Sequence, residues 1–217
     1  MKIEQTATLF DEDADHEGYK APSVLYLKFP DSLRLDITLS YEKETVIHSN
    51  GETLTVVDGN LVSEVPDVRS VLKEFFITRS VDEVIEFLHA KHVNTERMGL
   101  GRFNGKIVYI IGAKEWETES PQLWIEKDSF LPLRFIAEER KEDCVFILEV
   151  RYLDYKSIGR AYRYPSVIEF YHDNNLTLRY ETENVVVNTS LPDSLFHMNR
   201  ISENNPHISN NGKQEIH

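Results

Sequence analysis

The 217-residue chain has one cysteine, Cys144, so no disulfide can form within it. Cys144 opens the strand-like run Cys144-Val-Phe-Ile-Leu, where a buried, inert thiol is preferred over a reactive one. Cysteine usage therefore does not set the compartment. Basic residues are also scarce. Lys and Arg number 24 against 37 Asp and Glu, for a formal net charge of −13. Nucleic-acid binding through a basic face is excluded, because neutralising phosphates needs clustered Lys and Arg, and bulk attraction to anionic headgroups is disfavoured. No apolar run approaches the roughly 20 residues that span a bilayer. There is no Gly/Pro/Ser linker and no internal repeat. No G-x-S-x-G, P-loop or H-E-x-x-H motif occurs, and nothing calls for a cofactor.

Short stretches of alternating apolar and polar residues fill the chain from Lys2 to Val187. Residues 2–10 and 23–29 read as strands around an acidic loop, Asp11 to Gly18. Leu33, Leu35, Ile37 and Leu39 alternate with Arg34, Asp36 and Thr38, a half-buried strand. Residues 44–49 and 53–57 flank Asn50-Gly51, a strong hairpin dipeptide, and Asp58-Gly59 marks another turn. Strands resume at 94–103, 106–112, 121–127, 131–140, 144–157, 165–172, 175–182 and 183–189. Asn104-Gly105, Lys127-Asp128-Ser129 and Asp173-Asn174-Asn175 are turns. Residues 106–112 are apolar on both faces, as in a strand covered on both sides.

One interruption lies between Pro66 and Val93. Pro66 suits a first helical turn, and Val68, Val71, Leu72 and Phe75 keep helical spacing over about 66–77. Ser80-Val-Asp-Glu83 is a capping box opening a second helix, about 80–92, with the stripe Val81, Val84, Ile85 and Leu88. The expectation is a mainly β chain: a curved antiparallel sheet, unclosed, with two short helices over one face. One domain covers 1–198, and the polar tail 199–217 reads as disordered.

Several clusters admit a functional and a simpler reading. His89 and His92 could share a metal, but no third ligand is near and a solvated helix end is preferred. Asp11, Asp13, Asp15 and Glu17 could hold calcium but lack the spacing of an EF-hand loop; a hairpin tip is preferred. Asn175 and Asn188 match the loose glycosylation pattern. Glu138, Glu139, Glu142 and Asp143 read as a solvated turn. Glu149, Arg151, Glu169 and Arg179 are the loose candidates for an enzyme, and charge pairing across strands is preferred. The strand aromatics (Tyr26, Phe29, Phe103, Tyr109, Trp124, Phe135, Phe146, Tyr152, Phe170, Tyr180) are more than one sheet and two helices easily enclose. An apolar, partly open concave surface is the expected remainder.

The order of several segments resembles the LolA-like, outer-membrane lipoprotein-sorting superfamily. They are Val24-Leu-Tyr-Leu-Lys-Phe-Pro30, Leu33-Arg-Leu-Asp-Ile37, and Val46 through the Asn50-Gly51 hairpin to Gly59. Gly105 to Ala113, Gln122-Leu-Trp-Ile-Glu-Lys-Asp128 with Leu131-Pro-Leu-Arg-Phe135, Tyr164 to Phe170, and Leu191 to Phe196 follow. The match spans most of 1–196. It implies ten or eleven strands in a half-open barrel with a helical lid, and a non-enzymatic periplasmic carrier for acyl chains of lipoproteins or other lipids. A sensor module that binds an envelope protein partner is the alternative. Such carriers begin with a helix, so a leader, or a leader and that helix, is expected to be missing ahead of Met1. They place a basic, lid-latching residue just before the strand-ending Pro. Here that residue is Phe29, with Lys28 beside it. The expected ligand-binding residues are Leu25, Leu27, Phe29, Leu35, Ile37, Leu72, Phe75, Phe76, Ile85, Leu88, Tyr109, Trp124 and Phe135.

Overall fold

The computed structural model describes residues 1–10, 18–63, 68–78, 80–141, 144–159 and 162–197. The acidic loop at 11–17, Pro66, Glu142, Asp143 and the tail lie outside the described residues, as does the side chain of Cys144.

Among the described residues, thirteen antiparallel strands form one sheet. Six precede the helices: β1 (Lys2–Leu9), β2 (Tyr19–Lys28), β3 (Ser32–Thr38), β4 (Lys43–Ser49), β5 (Glu52–Val57) and β6 (Asn60–Ser63). Then come a 3-10 turn (Val68–Ser70), α1 (Val71–Phe76) and α2 (Val81–Ala90). Seven follow: β7 (Met98–Phe103), β8 (Lys106–Ile111), β9 (Gln122–Glu126), β10 (Pro132–Lys141), β11 (Cys144–Ile158), β12 (Tyr162–His172) and β13 (Asn175–Val186). The strand order is β6-β5-β4-β3-β2-β1-β13-β12-β11-β10-β9-β8-β7. Every connection but one joins neighbours, and β1 closes onto β13. The exception, β6 to β7, runs from one edge of the sheet to the other and carries both helices. Topology alone therefore lays the helices across a single face. The two edges do not pair, so the sheet stays open.

Turn chemistry fixes the hairpins. Asn50 and Gly51 have φ of +54° and +80°, and Asn104 and Gly105 +48° and +79°. Two consecutive left-handed residues make the two-residue turn whose twist suits antiparallel strands, and Asn-Gly tolerates it best. Asp58-Gly59 does the same and leads into β6, a short exposed strand that the alternation did not reveal.

Three expectations change. The sheet has thirteen strands rather than ten or eleven. Residues 175–182 and 183–189 are one strand, β13, not two. Its alternation breaks because Glu4 faces Asn184 while Gln5 faces Thr182, which leaves Glu183 bulged. Glu139 is not in a solvated turn: it lies on β10 and pairs with Lys91 just beyond α2.

The main core lies between the helices and the face they cross. Ile3, Leu25, Leu35, Val46, Phe135, Val150, Tyr152 and Phe170 contribute from the sheet, and Val71, Leu72, Ile77 and Leu88 from above. A smaller cluster on the outer face joins Val108, Ile110, Trp124 and Leu133. That cluster is why β8 is apolar on both sides.

Candidate functional site

The helices are held to the sheet at both ends by ion pairs. Arg69, ahead of α1, makes a two-pronged contact with Glu44 on β4 at 2.6 and 3.1 Å, and Lys91, after α2, pairs with Glu139 on β10. Ser80 caps α2, its Oγ accepting the Glu83 N–H at 3.3 Å. These two tethers run through Arg69 and Lys91. Phe29 is exposed at a rim, and neighbouring Lys28 donates to the Leu191 carbonyl at 3.0 Å and pairs with Asp193.

Between these tethers, α1 pushes two aromatic rings into the hollow. Phe75 meets Phe87, Phe135 and Tyr152 with ring centroids 5.9, 5.5 and 5.6 Å apart. Phe76 meets Tyr152 and Tyr164 at 5.6 and 4.9 Å. Edge-to-face packing of this kind adds about 0.5–1.5 kcal/mol per pair beyond burial. The deep part of the hollow is therefore filled by the chain's own side chains.

Two openings adjoin it among the described residues. The larger, about 500 Å³, lies between α2 and β7–β9 and is lined by Val81, Val84, Ile85, Leu88, Met98, Ile111, Leu123 and Ile125, with Thr78, Ser80 and Thr95 at its margin. Its volume falls within the usual range for small-molecule sites. Val81 is 71% and Met98 69% exposed, so the rim presents apolar side chains to water. The smaller, about 280 Å³, lies beside Phe76 and is lined by Met1, Leu27, Phe29, Tyr162 and the segment from Val187 to Leu191.

The structure brings most of the expected residues together. Leu25, Leu27, Leu35, Ile37, Leu72, Leu88 and Phe135 are buried in the one core, with Phe75 and Phe76 packed against it. Ile85 lines the larger opening and Phe29 the smaller. Tyr109 alternates with the outward Val108 and Ile110, which puts it on the hollow side of β8, stacked on the exposed Phe130. Trp124 does not join them. It belongs to the outer cluster, with the Arg134 guanidinium 4.9 Å from its ring centroid and its Nε1–H donating to Gln122 Oε1 at 2.7 Å. Its neighbours Leu123 and Ile125 line the groove instead.

The hollow is poor in ionisable groups. Glu149, Arg151, Glu169 and Arg179 sit on the outer face, each between residues that pack inward. There they form a ladder. Arg134 donates to both Glu149 oxygens at 2.6 and 3.0 Å, and Arg151 to one at 2.5 Å. Tyr171 accepts from Arg151 at 3.1 Å and donates to Glu169 at 2.9 Å, and Arg179 stands 3.8 Å from Glu169. This is charge pairing across strands. Burial opposes ionisation of Glu149, yet the two guanidiniums outweigh it and hold the carboxyl below its ordinary 4.5. His89 Nε2 lies 2.7 Å from Thr95 Oγ1, and no group of three potential metal ligands occurs among the described residues. On the hollow side, Tyr152 and Tyr164 are fully buried and their hydroxyls make no hydrogen bond. Burial pushes both phenols up, so they stay protonated.

No family model and no curated protein matches the chain. Solved structures do. A domain described as an outer membrane lipoprotein-sorting protein, from Vibrio parahaemolyticus, aligns with a TM-score of 0.57 at 12% identity over 92% of this chain and 90% of that one. A LolA superfamily protein from Nitrosomonas europaea aligns with a TM-score of 0.56 at 11% identity over the same shares. At this identity the likeness concerns the fold. An open antiparallel sheet, two helices laid across its concave face and these neighbours together give the chain a LolA-like fold.

Proposed function

We propose that this chain is a non-enzymatic binding protein of the periplasm that holds acyl chains of a lipoprotein or another lipid in the hollow, as a carrier. The observation that carries the reading is the apolar groove of about 500 Å³ beneath α2, continuous with a core that two short helices cover. Each CH₂ withdrawn from water gains about 0.8 kcal/mol, so one palmitoyl-length chain offers on the order of 12 kcal/mol. That supports displacement of Phe75 and Phe76 while the two ion pairs keep the helices attached. The description of the Vibrio parahaemolyticus neighbour, a lipoprotein-sorting protein domain, agrees with that reading.

The groove-lining positions of α2 allow a test that spares the fold. Val81 and Ile85 are already exposed, so aspartate there costs little stability. The Val81→Asp/Ile85→Asp variant should bind a fluorescent fatty acid at least about tenfold more weakly, since each charge must be desolvated on binding. Unchanged affinity with an unchanged melting curve would exclude the groove as the route of binding.

A second reading, a module that binds an envelope protein partner, draws on the filled state of the deep hollow and on edge strand β7, where Met98 and Leu100 are exposed. Saturable binding of a protein by lipid-free material, with no lipid uptake, would favour it.

A further inference from the structure

Among the buried polar side chains that lack a hydrogen-bond partner, two lie together beneath Phe76. The Tyr152 and Tyr164 side chains, on β11 and β12, are 0% and 2% exposed, and neither hydroxyl has a hydrogen-bond partner. Two other tyrosines of the same strands are satisfied: Tyr155 on β11 donates to the Pro132 carbonyl at 2.8 Å and Tyr171 on β12 to Glu169 at 2.9 Å. A buried hydroxyl without a partner costs about 1–3 kcal/mol, and phenylalanine would supply the same ring without that cost. One side chain covers both phenols. The Phe76 ring packs on Tyr152 and Tyr164 and also lines the smaller opening. Phe76 ends α1 and is only partly buried, so it can turn toward that opening without dismantling the sheet.

We propose that the hydroxyls of Tyr152 and Tyr164, uncovered when Phe76 turns out, form a polar anchor for the carbonyl of an ester- or amide-linked acyl chain. The inference rests on the acyl-chain reading and adds to it the part of the lipid that is recognised. Both phenols are neutral donors and an ester or amide carbonyl is a neutral acceptor, so the match needs no buried countercharge. A plain hydrocarbon would fill the same space but leave both hydroxyls unpaired.

The test compares methyl palmitate with hexadecane, each delivered from cyclodextrin, as competitors of a fluorescent fatty acid. For the unmodified chain the ester should compete about tenfold better than the alkane, the ratio expected from satisfying one buried donor. In the Tyr152→Phe/Tyr164→Phe variant that advantage should fall to about twofold or less, with hexadecane unaffected and the thermal midpoint unchanged or raised. Ester, but not alkane, should also shift the near-ultraviolet tyrosine absorbance of the unmodified chain. Retention of the ester advantage by the double variant would overturn the anchor. So would no ester advantage in the unmodified chain when hexadecane displaces the probe, or a lowered thermal midpoint in the variant; each of these leaves the acyl-chain reading standing. Failure of the probe and both competitors to bind would instead remove the acyl-chain reading, and the anchor with it.

Discussion

The Phe75→Ala variant is expected to lose about 3 kcal/mol of stability when empty and markedly less when loaded with lipid. In the empty chain the Phe75 ring fills the centre of the hollow, against Phe87, Phe135 and Tyr152. Truncation leaves a cavity that the sheet cannot collapse, because Phe135 and Tyr152 are fixed in neighbouring strands. An acyl chain must expel that ring from the unmodified protein but finds the space vacant in the variant. By linkage, the variant then binds the chain more tightly, and its stability deficit shrinks with lipid present. Urea midpoints with and without saturating methyl palmitate measure this. Equal deficits in both conditions would mean that the lipid does not occupy the place of Phe75.

The second large effect belongs to the outer face and is independent of any ligand. Glu149 is buried and accepts from Arg134 and Arg151. Glu149→Gln removes the carboxylate that Arg134 and Arg151 share, and leaves Arg151 only the more distant Glu169 as counter-ion. Breaking a buried pair from one side costs about 3–5 kcal/mol. Arg151 is about a third exposed, so solvent screens its share and about 2–3 kcal/mol is expected at pH 7. The pH dependence has a definite sign. The folded carboxyl titrates below its ordinary 4.5, so its contribution is fully present above that pH and is lost as pH falls through the lower folded value. The gap between the variant and the unmodified chain should therefore narrow between pH 7 and pH 3. A gap of constant size would show that the carboxylate charge is not what stabilises the ladder.

Much of the scaffold is legible in the residues because each signal is local. Leu33, Leu35 and Ile37 alternate with Arg34, Asp36 and Thr38, and all three apolar side chains are buried. Asn50-Gly51 and Asn104-Gly105 take the backbone that their dipeptide favours. Ser80 and Glu83 mark the start of α2. The misreadings arise where a residue's role depends on a distant partner. The bulge at Glu183 interrupts the alternation of β13 and mimics a strand end, and only the pairing with β1 resolves it. Glu139 resembles the charges around it until Lys91 arrives from the other side of the hollow. Trp124 sits among apolar neighbours on both sides, so a period of two gives no clue to its face. Alternation puts Tyr152 inside, with Leu148 and Val150. That its hydroxyl and that of Tyr164 lack partners depends on what packs over them from α1, and no local pattern carries it. The groove is hidden for the same reason: Val81 and Met98 lie on consecutive elements, but it forms only where α2 is laid over Ile111 of β8 and Leu123 of β9.

Mass spectrometry of an organic extract tests the central claim most directly, using protein purified from its own cells without detergent. The account predicts lipid or lipoprotein acyl chains in stoichiometric amount, and a loss of most of that material from the Val81→Asp/Ile85→Asp variant purified in parallel. An extract no richer in lipid than that of a control protein would contradict it, and the apolar groove would then stand as a docking surface for a protein partner.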